Sequence, residues 1–131
     1  MIDIEADVFR TVKQALGNTA KCLSSYQNTS ATYPLVTVEE QDNSVYERTR
    51  DSALIENHAV LLYEVNVFSN TEAGKKRQAK NIMATVDTAM REFGFTRTYC
   101  RPTPNFADST IFRLTARYSA VVDQSGNLYR R

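Results

Sequence analysis

At 131 residues the chain has the size of one compact domain, with room for a single hydrophobic core and not for two. Its 16 basic and 15 acidic residues leave a formal charge of +1, which excludes the overall positive field of a sequence-independent nucleic-acid binder and leaves only a local patch for such contacts. Cys22 and Cys100 stand far apart, without CxxC or Cys/His spacing, so they read as two reduced thiols rather than a disulfide framework or a metal centre. The N-terminus MIDIEADVF is acidic where a signal peptide is basic, and no apolar run approaches the ~20 residues that span a bilayer. The expectation is a soluble protein that starts life in the cytoplasm.

Asp3, Glu5 and Asp7 precede Lys13, Val8, Phe9, Val12 and Leu16 recur at helical spacing, and Gly17 follows, which predicts a short N-terminal amphipathic helix with charges aligned to its dipole. Residues 18–33 are rich in Ser, Thr and Asn, with Cys22, Leu23 and Tyr26 as a weak strand before Tyr33-Pro34. LVTVEE then reads as a strand with Pro34 at its first position. The polar stretch EEQDNSVYERTRDS begins at its end and predicts a polar arm or loop over about 42–57, ordered only against another chain. In HAVLLYEVNVFSN, Leu61, Tyr63, Val65 and Val67 share one face and Glu64 and Asn66 the other, which predicts a strand with one buried face.

The strongest pattern covers residues 71–93. Ala79, Ile82, Met83, Val86, Ala89, Met90 and Phe93 make one apolar stripe, Lys75, Lys76, Lys80 and Arg91 lie outside it, and Gly94 stops it. An irregular strand broken by Pro102 and Pro104 follows, and then TIFRLTARYSAVVD alternates. Phe112, Leu114, Ala116, Tyr118, Ala120 and Val122 take one side, and Arg113, Thr115, Arg117 and Ser119 the other. Residues 124–131 read as a loosely held, turn-like tail. The order of elements predicts a single α+β domain, a mainly antiparallel sheet with the long helix packed on one face and a short helix at the N-terminus.

Catalytic signals are weak. Glu39 and Glu40 are adjacent on a strand and so diverge, Glu40 and Asp42 share a face but have no lysine placed near them in sequence as a nuclease would, and His58 sits at a strand mouth beside Glu56 and Asn57. A metal nuclease built on Glu40, Asp42 and His58 is one reading; a solvated strand end is the plainer one. No nucleophile elbow, phosphate loop or dinucleotide fingerprint is present. The arginines are the sharper feature. Arg113 and Arg117 lie opposite the apolar set of the last strand, Arg97 and Arg101 alternate along the segment before it, and together they predict a basic sheet face with no evident partner in the chain. They read either as ordinary solvent-facing residues or as partners for Glu40, Asp42, Asp51 and Glu64 of an adjacent copy. A nucleic-acid-binding or nucleic-acid-processing domain using the same arginine-lined face is the alternative from another class.

Tyr33-Pro34-Leu35-Val36-Thr37-Val38-Glu39-Glu40, then Asn43 and Tyr46, Glu56-Asn57-His58, Tyr63-Glu64-Val65-Asn66-Val67-Phe68-Ser69-Asn70 and Gly74-Lys75-Lys76 are the first half of a pattern. Gly94-Phe95-Thr96-Arg97, Pro104-Asn105, Thr110-Ile111-Phe112-Arg113-Leu114 and Ala116-Arg117-Tyr118 complete it. In sum this resembles the tail-completion, or tail-terminator, proteins of long-tailed bacteriophages and prophages. The likeness covers nearly the whole chain, and none of its pieces is a catalytic signature. It implies a tail-terminator-like α+β subunit, without enzymatic activity or cofactor, that assembles into a hexameric ring at the head-proximal end of the tail tube. The implied partners are further copies of itself, the tail tube protein and the head-tail connector. No membrane and no sequence-specific nucleic acid are implied, with DNA free to pass through the ring. The implied location is the virion tail or neck, and the host bacterial cytoplasm before assembly. Under this reading the candidate subunit-interface residues are Glu40, Asp42, Tyr46, Arg48, Arg50, Glu64, Arg97, Arg113 and Arg117.

Overall fold

The computed structural model describes residues 1–24, 33–45, 58–104 and 110–129. Two helices, α1 (Glu5–Leu16) and α2 (Lys75–Phe93), accompany β1 (Lys21–Leu23), β2 (Leu35–Val45), β3 (His58–Ser69), β4 (Thr96–Thr103), β5 (Phe112–Asp123) and β6 (Leu128–Tyr129). The strands form one sheet in the order β1-β2-β3-β5-β4, with β6 added to β5. All pairings are antiparallel except β1 with β2. Because β4 and β3 both run antiparallel to β5, which lies between them, α2 is the crossover of a split β-α-β unit.

Both helices lie on one face of the sheet. Val8, Val12 and Leu16 of α1 and Ala79, Ile82, Met83, Val86 and Met90 of α2 join Val36 and Val38, alternate residues of β3 from Ala59 to Val67, and Leu114 to Val122 of β5 in one continuous core. The periodicities read from the sequence meet here: period two in the strands and 3.6 in the helices put every apolar stripe on the same interface. Tyr63 and Tyr118, directly opposite each other in register, are fully buried at its centre. Among the described residues the other face carries no helix. It holds a second, small cluster at one end, where Leu35, Phe68 and Ile111 pack with Leu23 and Tyr33. That cluster explains why the expected solvent side of β3 is buried at Asn66 and Phe68.

Four sequence expectations change. Pro34 precedes β2 rather than opening it, and its carbonyl accepts the Lys21 N–H at 3.1 Å. Of the arm expected over 42–57, residues 42–45 continue β2 against β3, and the remainder lies outside the described residues. Pro102 does not break β4: it lies within an edge strand, where a missing N–H can face away from the ladder. The tail expected to be loose is, through Tyr129, a tied turn and a short strand. The Asp123 carboxylate accepts the backbone N–H groups of Ser125 and Asn127 at 2.9 Å, and Leu128 pairs with Val122.

α2 starts at Lys75, later than the apolar pattern suggests, because Gly74 in a left-handed conformation precedes it. It ends at Gly94, whose φ of +125° lets the Phe95 N–H reach back to the Met90 carbonyl at 2.9 Å. A Cβ at Gly94 would stand 2.9 Å from the Leu128 Cβ. Gly94→Ala is therefore expected to destabilise the fold by about 2–4 kcal/mol, from backbone strain together with overpacking. Chemical denaturation measures it. Gly94→Ala combined with Leu128→Ala should not recover the wild-type midpoint, because alanine keeps the Cβ that the new methyl meets and the strained φ remains.

Candidate functional site: a sheet with unlike charged edges

The strand register assigns every candidate side chain to a face. On the helix-free face, successive cross-strand rows run Leu35, Phe68, Arg113 and Thr103, then Thr37, Asn66, Thr115 and Arg101, then Glu39, Glu64, Arg117 and Tyr99. The middle row is small and polar and is knitted together. Asn66 Oδ1 accepts from Thr115 Oγ1 at 2.6 Å and from Arg113 Nε at 2.9 Å, and Thr103 donates to Thr115 at 2.7 Å. Thr37 Oγ1, in the same row, is buried and has no hydrogen-bond partner among the described residues.

Two irregularities redirect the candidate residues. β2 slips register between Glu40 and Asp42, leaving Gln41 as the extra residue. Glu40 therefore lies opposite Tyr63 on the helix face and Asp42 opposite Leu62 on the other, so the shared face expected of these two carboxylates does not exist. His58, at the start of β3, pairs in register with Asp123. The nuclease constellation is thus taken apart by a single bulged residue, and no group of three or more potential metal ligands occurs among the described residues. β4 slips in the same way between Arg97 and Tyr99. Arg97 consequently leaves the arginine face and pairs with Asp87 of α2 at 3.2 Å, on the helix side.

Arg101, Arg113 and Arg117 remain on the helix-free face, but they have partners in their own chain. The Arg113 guanidinium stands 5.7 Å from the Phe68 ring centroid while it bonds Asn66. Arg117 faces Glu64 at 3.6 Å and stands 4.8 Å from the Tyr99 ring, which Arg101 approaches to 5.3 Å. The expectation that one chain offers these arginines nothing is therefore corrected. Acid and base interleave along a row, because antiparallel pairing sets Glu64 directly opposite Arg117. Tyr46, Arg48, Arg50 and Asp51 lie outside the described residues.

Unbalanced charge lies instead at the two edges of the sheet. At the β2 edge, Glu39 faces Glu64 across the ladder and makes no hydrogen bond or ion pair among the described residues. Burial, then the like charge of Glu64, raises the Glu39 carboxyl above its ordinary range, against the pull of Arg113. Burial likewise raises Glu40, which the Tyr63 hydroxyl, donating at 3.3 Å, holds down while Asp3 and Glu5 add to the rise. The opposite edge is basic. Lys76, Lys80 and Arg97 rim a shallow groove of about 460 Å³ between α2 and β4, floored by Met83, Pro102 and Leu114 and lined at one point by Cys100. The lysines read from sequence as the solvated side of α2, so this groove was not foreseen. The available signal was the first turn of α2, which contains Lys75, Lys76 and Arg77 and no acid, against the preference of a helix N-terminus.

No model of a known protein family matches the chain, and no curated protein is similar enough to count as a relative. Among the described residues no helix is long and apolar enough to cross a membrane.

Two measurements probe these edges. A carboxyl raised on folding takes up its proton more readily in the native than in the unfolded chain, so stability is lost as pH rises from its ordinary value of 4.5 through the folded one. Glu39→Gln and Glu40→Gln should each raise the melting temperature at pH 7, with the gain vanishing below about pH 4. The thiols should also differ. Cys22 is buried and pushed up to about 11 by that burial, with Lys13 opposing, whereas Cys100 is exposed. A maleimide at neutral pH should label Cys100 alone in the folded protein, as mass spectrometry of a digest would show.

Proposed function

We propose that this protein is a structural subunit that closes into a ring by head-to-tail contacts, acting as the tail-completion protein of a long-tailed phage or prophage. In this reading the ring caps the tail tube and joins it to the head connector. The protein performs no chemistry and holds no cofactor. The observation that carries the reading is the disposition of charge in the sheet: among the described residues, Glu39 and Asp42, which form no ion pair, lie at the β2 edge, and Lys76 and Lys80, which form none either, lie at the β4 edge. Unlike surfaces on opposite sides of one subunit form heterologous contacts, and such contacts close a ring when the rotation between copies closes. The sequence resemblance to tail-completion proteins supplies the identity of that ring.

A second reading, a nucleic-acid-binding domain, draws support from the helix-free face, where Tyr99 lies near Arg101 and Arg117 and Phe68 near Arg113. Aromatic rings beside guanidinium groups are a stacking platform for bases. Glu39 and Glu64 in the same row oppose it, since they place negative charge where a phosphate backbone would run.

Light scattering of the pure protein, with electron microscopy of the particle it reports, separates the two. The ring reading expects a closed hexameric particle that loosens as salt is raised toward 1 M, where the screening length falls to about 3 Å. A protein that stays monomeric at high concentration and binds single-stranded DNA with a steep salt dependence would support the second reading and overturn the first.

A further inference from the structure

The ring reading leaves open which surfaces meet, and the arginines of β5, satisfied within their own chain, do not answer it. We propose that the groove between α2 and β4 receives the β2 segment 39–45 of a second copy, so that Lys76 and Lys80 of one subunit meet Glu39 and Asp42 of the next. This inference rests on the ring reading and deepens it.

Both surfaces carry charge that forms no ion pair among the described residues. Lys76 and Lys80 are one helical turn apart, exposed, and without a hydrogen bond or ion pair among the described residues. They stand in the N-terminal half of α2, where the helix dipole disfavours cations. Lys75 differs, because its ammonium donates to the Thr110 carbonyl at 2.8 Å. Across the sheet, Glu39 opposes Glu64, and among the described residues Asp42 accepts from neutral donors, the Asn43 backbone N–H and the Ser44 hydroxyl.

The shapes also correspond. Met83 and Leu114, both nearly fully buried, and Pro102 give the groove an apolar floor beneath its cationic rim. A free anion would satisfy the rim and leave that floor wet, whereas an acidic strand carrying an apolar side chain satisfies both. The β2 segment offers both from its two faces: Glu39 and Asp42 from one and, from the other, Val45, which is 37 % exposed, the largest exposure of any bulky apolar side chain except Met1 among the described residues. Its backbone is open as well. β1 covers only Leu35 to Thr37, so from Val38 onward the outer edge of β2 has no strand partner among the described residues. The bulge at Gln41 and the charge of Asp42 guard that edge against indiscriminate pairing, leaving a matched partner as the surface it accepts. Since groove and segment occupy opposite edges of one sheet, no subunit can dock its own segment, and each contact leaves a free edge and a free groove for the next copy.

Charge reversal and cross-linking test the contact. Lys76→Glu with Lys80→Glu should fold at least as stably as wild type, because acids suit that end of a helix, yet require roughly a hundredfold higher concentration to assemble. Adding Glu39→Lys and Asp42→Lys to the same chain should restore much of the assembly. In an otherwise wild-type chain, Gln41→Cys should be joined to native Cys100 of a neighbour by a short bis-maleimide, giving a ladder of covalent oligomers that disappears with Cys100→Ser. A lysine-reversed protein that assembles like wild type, or a Gln41→Cys ring that yields no ladder, overturns the groove contact and leaves the ring reading standing. A wild-type protein that never assembles overturns both.

Discussion

Two tyrosines side by side in the middle of the sheet constrain most of the molecule. Tyr63 on β3 and Tyr118 on β5 are opposite each other in register, completely buried, and covered by α2, with the Phe95 ring set edge-on to Tyr63 at 5.4 Å. Such rings contribute a large apolar area only if each hydroxyl finds a partner at the rim of the core. Tyr63 reaches Glu40 at the β2 edge, and Tyr118 reaches Asp87 on α2 at 2.9 Å. Burial, reinforced by these carboxylates, holds both phenols well above their ordinary range, so they remain neutral donors.

Those two hydrogen bonds tie the core to both charged edges. Glu40 is drawn inward by Tyr63, so the carboxylates left facing outward at the β2 edge are Glu39 and Asp42. Asp87, fixed by Tyr118, receives Arg97 from β4 and Arg91 from its own helix. The ion pairs themselves are half exposed and contribute little to stability. Their effect is geometric: Arg97 is turned toward the helix side, where it joins Lys76 and Lys80 at the groove. A rigid core thus fixes the spacing between an acidic edge and a basic one.

Much of this was legible in the chain. Both helices, the strands β3 and β5, the first half of β2 and the face each apolar stripe buries follow from periodicity, because burial of apolar surface is the dominant local signal and repeats at the period of each element. Gly17 and Gly94 mark the helix ends, since a positive φ there suits glycine. The opposite facing of Arg113 and Arg117 to the core also followed from alternation along a strand that contains no irregularity.

The bulges were not legible. A bulged residue has no composition of its own, and Gln41 and Thr98 are ordinary polar residues whose insertion shows only as a slip in register, which in β2 moves the helix-side positions from Val36 and Val38 to Asn43 and Val45. That slip decides whether Glu40 and Asp42 share a face and whether Arg97 joins the other arginines. Nor can a single strand reveal that its neighbour will set Glu64 against Arg117, or that Lys76 and Lys80 will overhang β4 across a groove, since these juxtapositions join residues distant in the chain. The sequence by itself determined the elements and their buried faces, because hydrophobic periodicity acts within each segment. The tertiary structure alone decided where the charges meet, because register and edge position arise only when segments far apart in the chain pair.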